Sequence, residues 1–219
     1  MRRIRIAGLC ATLLLALGAS TASSSSAALP EFSGPFGKLF TSSSGPSRLR
    51  AVGGKRVICA ASTDVGKISG PKTGSVTITW TGCTLNKKPQ CSTPGSAPGE
   101  IVSPALSMTL GYINKGAKTV GIDLAEPSGG PFLLFSCLAG TRVLVVGSVI
   151  GRILPINKLV TPSETFKLRF QQVGGIQNVQ SLEGEPKDTL EASFLAPLET
   201  AGLRMEDKIL FAEPVTLSA

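Results

Sequence analysis

The most informative residue in this chain is the one that is missing. None of its 219 residues is histidine. A Ser-His-Asp or Cys-His nucleophile arrangement is therefore excluded within the chain, as are histidine-bearing metal centres. No G-x-G-x-x-G, P-loop, G-x-S-x-G or calcium-loop pattern occurs, so the local signatures for dinucleotides, nucleotide phosphates, the commonest esterases and EF-hand calcium are absent. What remains is carboxylate chemistry, drawn from 14 acids. Hydrolysis of a glycoside needs two carboxyl groups across a cleft, one as proton donor and one as base or nucleophile. Glu183 and Glu185 can share a strand face, and Asp123 falls on a wet face, but Trp80 and Tyr112 are the only Trp and Tyr for a sugar to stack against. The sequence assigns no catalytic residue, no metal ligand and no cofactor.

Of the five cysteines, Cys10 lies inside an N-terminal apolar run. The other four are Cys59, Cys83, Cys91 and Cys137. Their spacing lacks the close C-x2-C pair of a zinc site and the C-x-x-C of a redox centre, and an even count in an exported chain reads as two disulfides. Cys83 and Cys91 flank a polar stretch containing Asn86 and Pro89, which favour a turn. The expected pairing is therefore Cys83 with Cys91, leaving Cys59 with Cys137 to join two apolar strand-like runs.

Two groups of residues are candidates for binding. Phe32, Phe36 and Phe40 recur every four residues. They form either an apolar face for a partner or a set that tucks against the chain's own sheet. Lys87 and Lys88 sit inside the expected Cys83–Cys91 loop, while Arg48, Arg50, Lys55 and Arg56 form a second basic group. The formal charge is +8, which suits an anionic surface or polymer. Nucleic acid is disfavoured, because single-strand binding pairs basic grooves with stacking aromatics and these are scarce here.

The elements that position these residues begin with an export signal. Arg2, Arg3 and Arg5 precede a short apolar run from Ile6 to Leu17, followed by small residues to Ala28. This is the pattern of a secretory signal peptide over residues 1–28, cleaved after Ala22 or Ala28. It is too short for a membrane span, and no later stretch approaches one. Removing it takes three of the 22 basic residues and none of the 14 acids, leaving 19 against 14, or +5. Residues 29–55 are rich in Ser, Gly and Pro and read as an extended lead-in with little regular structure. Residues 56–219 form one β domain. Val76, Ile78 and Trp80 alternate with Thr77 and Thr79, and the same period of two recurs at Met108–Tyr112, Val120–Leu124 and Phe166–Phe170, each predicting a half-buried strand. Val143–Ile150 is apolar on both faces and predicts one central strand, with Gly147 at a bend. With 25 glycines and 15 prolines, the fold class is all-β: an antiparallel sandwich or barrel of about ten short strands behind an extended lead-in.

The segments Gly70–Cys83 and Gly147–Ile153 resemble parts of small secreted bacterial β-rich proteins of unassigned function, with the likeness running from about residue 29 to the end. The resemblance implies export and a β-rich domain, and it carries over no catalytic residue, ligand or partner. The expectation from sequence is thus a secreted or cell-envelope, disulfide-bonded β domain acting by binding or by structural presence. Its expected partner is an anionic envelope polymer or another envelope protein. The alternative is a carboxylate-dependent hydrolase of an envelope polysaccharide.

Overall fold

Alternation of dry and wet side chains organises the structure, a computed structural model that describes residues 30–137, 140–195 and 197–219. The export signal read over residues 1–28, with Cys10, lies outside the described residues. Those described form strands, turns and loops without a helix. Eight strands make the frame: β1 (Leu39–Ser44), β2 (Ala61–Ile68), β3 (Thr73–Thr81), β4 (Leu106–Asn114), β5 (Thr119–Ala125), β6 (Ser148–Leu154), β7 (Phe166–Phe170) and β8 (Glu199–Phe211). Each pairs antiparallel with the next, and β8 pairs with both β7 and β1. The sheet therefore closes as an up-and-down barrel, which leaves no open edge among its staves.

Successive staves run in opposite directions, so the connections after β1, β3, β5 and β7 all emerge at one end. These four connections carry the extra strands. Ser47–Ala51 and Arg56–Cys59 follow β1, and Leu133–Cys137 and Thr141–Val146 follow β5. Glu191–Phe194 precedes β8. Together they form a cap over the barrel. β8 is long enough to serve both parts: Met205–Ile209 pairs with β7, while Ala201–Arg204 pairs with the cap strand Ser47–Ala51. At the opposite end, Glu31–Ser33, Val215–Ser218 and Leu159–Val160 form a small three-stranded sheet.

An eight-stranded barrel has an interior that side chains can fill or that can hold one small ligand. This one is filled. Phe40 and Phe211 meet at a tilt with centroids 5.3 Å apart, Phe166 meets Phe211 edge-on at 5.7 Å, and Phe32 meets Phe166 edge-on at 6.3 Å. The Phe40 ring lies over Gly66 of β2, where a Cβ would collide with it and would sit 2.6 Å from the Ser75 carbonyl. Two small spaces beside these rings are each about 10 Å³, about what one water requires. Trp80, Phe132, Phe135 and Leu190 fill the cap interior.

The all-β antiparallel class and the alternating stretches stand as expected. Two boundaries differ. The described part of the 29–55 segment, residues 30–55, holds Glu31–Ser33, the stave β1 and a cap strand, so strands of the β domain lie well before residue 56. The apolar run 143–150 is two strands, because Gly147 at φ +88° turns the chain from cap to barrel. The cysteine pairing is corrected as well: the bonds are Cys59–Cys83 and Cys91–Cys137. The turn after Cys83 does bring Cys91 back, and its N–H donates to the Cys83 carbonyl at 3.0 Å. Register then decides the partners. Cys91 stands directly opposite Cys137, while the Arg56–Cys59 strand runs beside Thr84–Leu85 with Ile58 opposite Thr84. The two bonds stitch the connection after β3 to those after β1 and β5.

Candidate ligand-binding face

The outward face of the cap gathers arginines from three strands. In Ser47–Ala51 the odd positions are buried, so Arg48 and Arg50 point outward. Arg48 stands opposite Arg204 of β8 on one side and Ile58 on the other. Arg50 stands opposite Arg56 and Gly202. Directly opposed side chains on a sheet have Cβ atoms about 4.5–5.5 Å apart, and like charges so placed repel. None of the four is in an ion pair among the described residues, whose ion pairs are Lys38–Glu213, Lys158–Glu164 and Arg169–Glu206. The Nε atoms of Arg48, Arg50 and Arg56 are buried without a hydrogen-bond acceptor.

The lysine turn joins this face. The Arg56 N–H donates to Asn86 Oδ1 at 3.3 Å, and the Asn86 N–H donates to the Arg56 carbonyl at 2.9 Å. Lys87 and Lys88 are exposed on that turn. The two basic groups read from the sequence thus meet on one sheet, and Arg204 of β8 is added opposite Arg48. Lys55 leaves the group, because its Nζ donates to the Phe194 carbonyl at 2.9 Å. A small hairpin, Gln172–Gln177, packs on the same outward face. Gln172 lies over Gly202, and Gln177 Oε1 accepts from the Leu203 N–H at 2.8 Å.

The three phenylalanines do not form one exposed face. Phe32 and Phe40 are buried in the aromatic cluster, and only Phe36, 44% exposed, reaches solvent. Trp80 is buried too, its indole N–H donating to Met205 Sδ at 3.3 Å.

The acids divide into two settings. Glu183 and Glu185 line a groove of about 440 Å³ with Tyr112, Lys72 and Lys115. The groove exists because β3 ends at Thr73 while β4 continues past it. The 182–185 turn covers the gap, with the Glu183 N–H donating to the Tyr112 carbonyl at 2.7 Å. One Glu183 oxygen already accepts from the Lys115 N–H at 2.6 Å. The second setting is inside the barrel, where Asp64 of β2 and Asp207 of β8 are buried on either side of β1. The Ser42 hydroxyl donates to Asp64 Oδ2, while Oδ1 of each aspartate has no partner. Burial holds the Asp64 carboxyl above the usual carboxylate range and, with the charge of Asp64 beside it, pushes Asp207 up to about 8. Asp123, expected on a wet face, is largely covered. Burial pushes it up to about 6. Among the described residues no three acids or cysteines converge as a metal site would require.

Comparison with known protein families, with curated proteins and with solved structures gives no match.

Proposed function

We propose that this chain is an exported, non-enzymatic binding protein of the cell envelope or extracellular space, held by its arginine face to an anionic polymer. The observation that carries the reading is the set of four guanidinium groups, opposed across three strands with no acid among them. A fold gains nothing from that arrangement by itself. An oxyanion supplied from outside would satisfy the buried Nε–H groups and remove the repulsion together. Two disulfides suit an oxidising compartment, and the N-terminal pattern suits export. The barrel wall carries Lys167, Arg169, Glu206 and Lys208 outward on β7 and β8, a surface that suits water rather than hydrocarbon.

The test is retention of the disulfide-bonded chain on immobilised polyphosphate across a salt series. Retention should fall as salt rises. With each charge-assisted contact contributing roughly 1.5–3 kcal/mol, Arg48→Gln with Arg50→Gln should weaken it at least about tenfold. Unchanged retention in the double variant sinks the reading.

One observation favours a second reading. The groove beside Tyr112 holds the two glutamates on which a polysaccharide hydrolase would depend. Hydrolysis of an envelope glycan, lost on Glu183→Gln or Glu185→Gln, would establish it in place of the first.

A further inference from the structure

Large apolar side chains left in water cluster beside the arginine face. Val173 is 73% exposed, Ile176 49% and Val52 46%. Val173 and Ile176 face each other across the tip of the Gln172–Gln177 hairpin, with Gly174 and Gly175 between them. The hairpin is pinned to the turn that bears Val52: a Cβ on Gly175 would meet the Ala51 carbonyl carbon and the Val52 nitrogen at 2.7 Å. The Gln172 side chain accepts from the Gly175 N–H at 2.8 Å, which fixes the tip from within. Leu195 and Leu198 are exposed on the chain that leads into β8. They belong to the same end, because Lys55 reaches the Phe194 carbonyl and the Gly53 N–H donates to Glu199 Oε2 at 2.6 Å. Beneath the hairpin lies Gly202, and directly beside Gly202 stands Arg50.

We infer that this end of the molecule docks on an anionic lipid bilayer, with Val173 and Ile176 entering the headgroup layer and Arg48, Arg50, Arg56 and Arg204 set against lipid phosphates. This rests on the reading of the arginine face as an anion-binding surface and names its partner. A soluble polyanion would satisfy the guanidinium groups but offers nothing to five exposed aliphatic side chains. A bilayer surface offers phosphate and hydrocarbon within a few ångströms of each other, in the same order as this face. Of the nearby acids, Glu191 stands exposed opposite Thr200. Glu199 is engaged by the Gly53 N–H, and Glu206 is paired with Arg169 at 3.0 Å.

The experiment is co-sedimentation of the disulfide-bonded chain with phosphatidylglycerol/phosphatidylcholine vesicles, with pure phosphatidylcholine vesicles as the uncharged control. Retention on polyphosphate is measured in parallel. The chain should pellet with the anionic vesicles and not with the neutral ones. Val173→Ser with Ile176→Ser should reduce vesicle binding at least tenfold and leave polyphosphate retention and the melting temperature unchanged, since both side chains are exposed. Equal vesicle binding by wild type and this variant overturns the inference. So does wild-type retention on polyphosphate without vesicle binding, which leaves the anion-binding reading standing. Failure to bind either one removes both.

Discussion

Asp64 and Asp207 line one cavity inside the barrel, on the two staves that flank β1, with a single serine hydroxyl between them. No cation joins them among the described ion pairs. A proton therefore has to supply the compensation, and this makes the barrel sensitive to pH. Both carboxyls are raised in the folded state, Asp207 to about 8. In the unfolded chain they ionise near pH 4. Below that value both states are protonated and nothing is lost. Between pH 4 and about 8 the unfolded chain has released the Asp207 proton that the barrel retains, so stability falls as pH rises and then levels off, with Asp64 acting in the same direction. Urea denaturation at pH 5, 6.5 and 8 should show a falling midpoint, and Asp207→Asn should flatten the trend. A midpoint that rises over this range contradicts the account.

Asp123 adds a narrower window of the same sign, from about pH 4 to its folded value of about 6. Asp123→Asn should raise stability at pH 7 relative to wild type while leaving it nearly unchanged at pH 4. The comparison is a pair of melting curves for each protein.

The arginine face sets stability against binding. Opposed like charges on a sheet cost roughly 0.2–1 kcal/mol per pair. Arg48→Gln should therefore stabilise the unliganded fold by several tenths of a kcal/mol in low salt, and added salt should erase the difference. A destabilised Arg48→Gln protein would show that this guanidinium has an acceptor within the fold.

The disulfides close loops spanning 24 and 46 residues. In the chain-entropy account each bond contributes roughly 3–4 kcal/mol. Removing either pair by Cys→Ser should lower the denaturation midpoint substantially, with the Cys91–Cys137 pair costing slightly more. A digest of the unreduced protein should join the Cys59 peptide to the Cys83 peptide, and recovery of a Cys83–Cys91 link would refute the pairing.

Gly66 is fixed by the ring above it. Gly66→Ala pushes Phe40 out of its rotamer or moves β2 away from β3, and overpacking of this kind costs about 1–3 kcal/mol. Calorimetry of the single variant against wild type tests this, and an unchanged melting temperature would show that the ring has room to move.

Where apolar and polar residues alternate with the apolar face inward, the fold could be read from the chain. Met108 and Leu110, Val120 to Leu124, and Phe166 to Phe170 are staves for that reason. β2 defeats the rule, since Ser62, Asp64 and Gly66 face the interior while Val65 is exposed. Hydropathy alone assigns that strand the wrong face, and the buried aspartate pair stays hidden until closure of the barrel fixes its sense. The same holds for β1, where Ser42 follows Phe40 into the core. Lys87, Lys88 and the arginines of 48–56 were visible as basic groups. Arg204 could not be added to them, because cross-strand register is not written in sequence proximity. The cysteines show the same limit: the turn between Cys83 and Cys91 was legible, and the lateral neighbours that capture each sulfur were not.

β8 belongs to both compartments and comes near the end of the chain. A ribosome delivering the polypeptide amino end first releases seven staves and most of the cap before the piece that unites them. Until Glu199–Phe211 is free, the sheet has two raw margins, at β1 and β7, and the cap lacks its spine. Loss of Glu199–Phe211 would therefore leave neither compartment intact, and the molecule should come apart as one body.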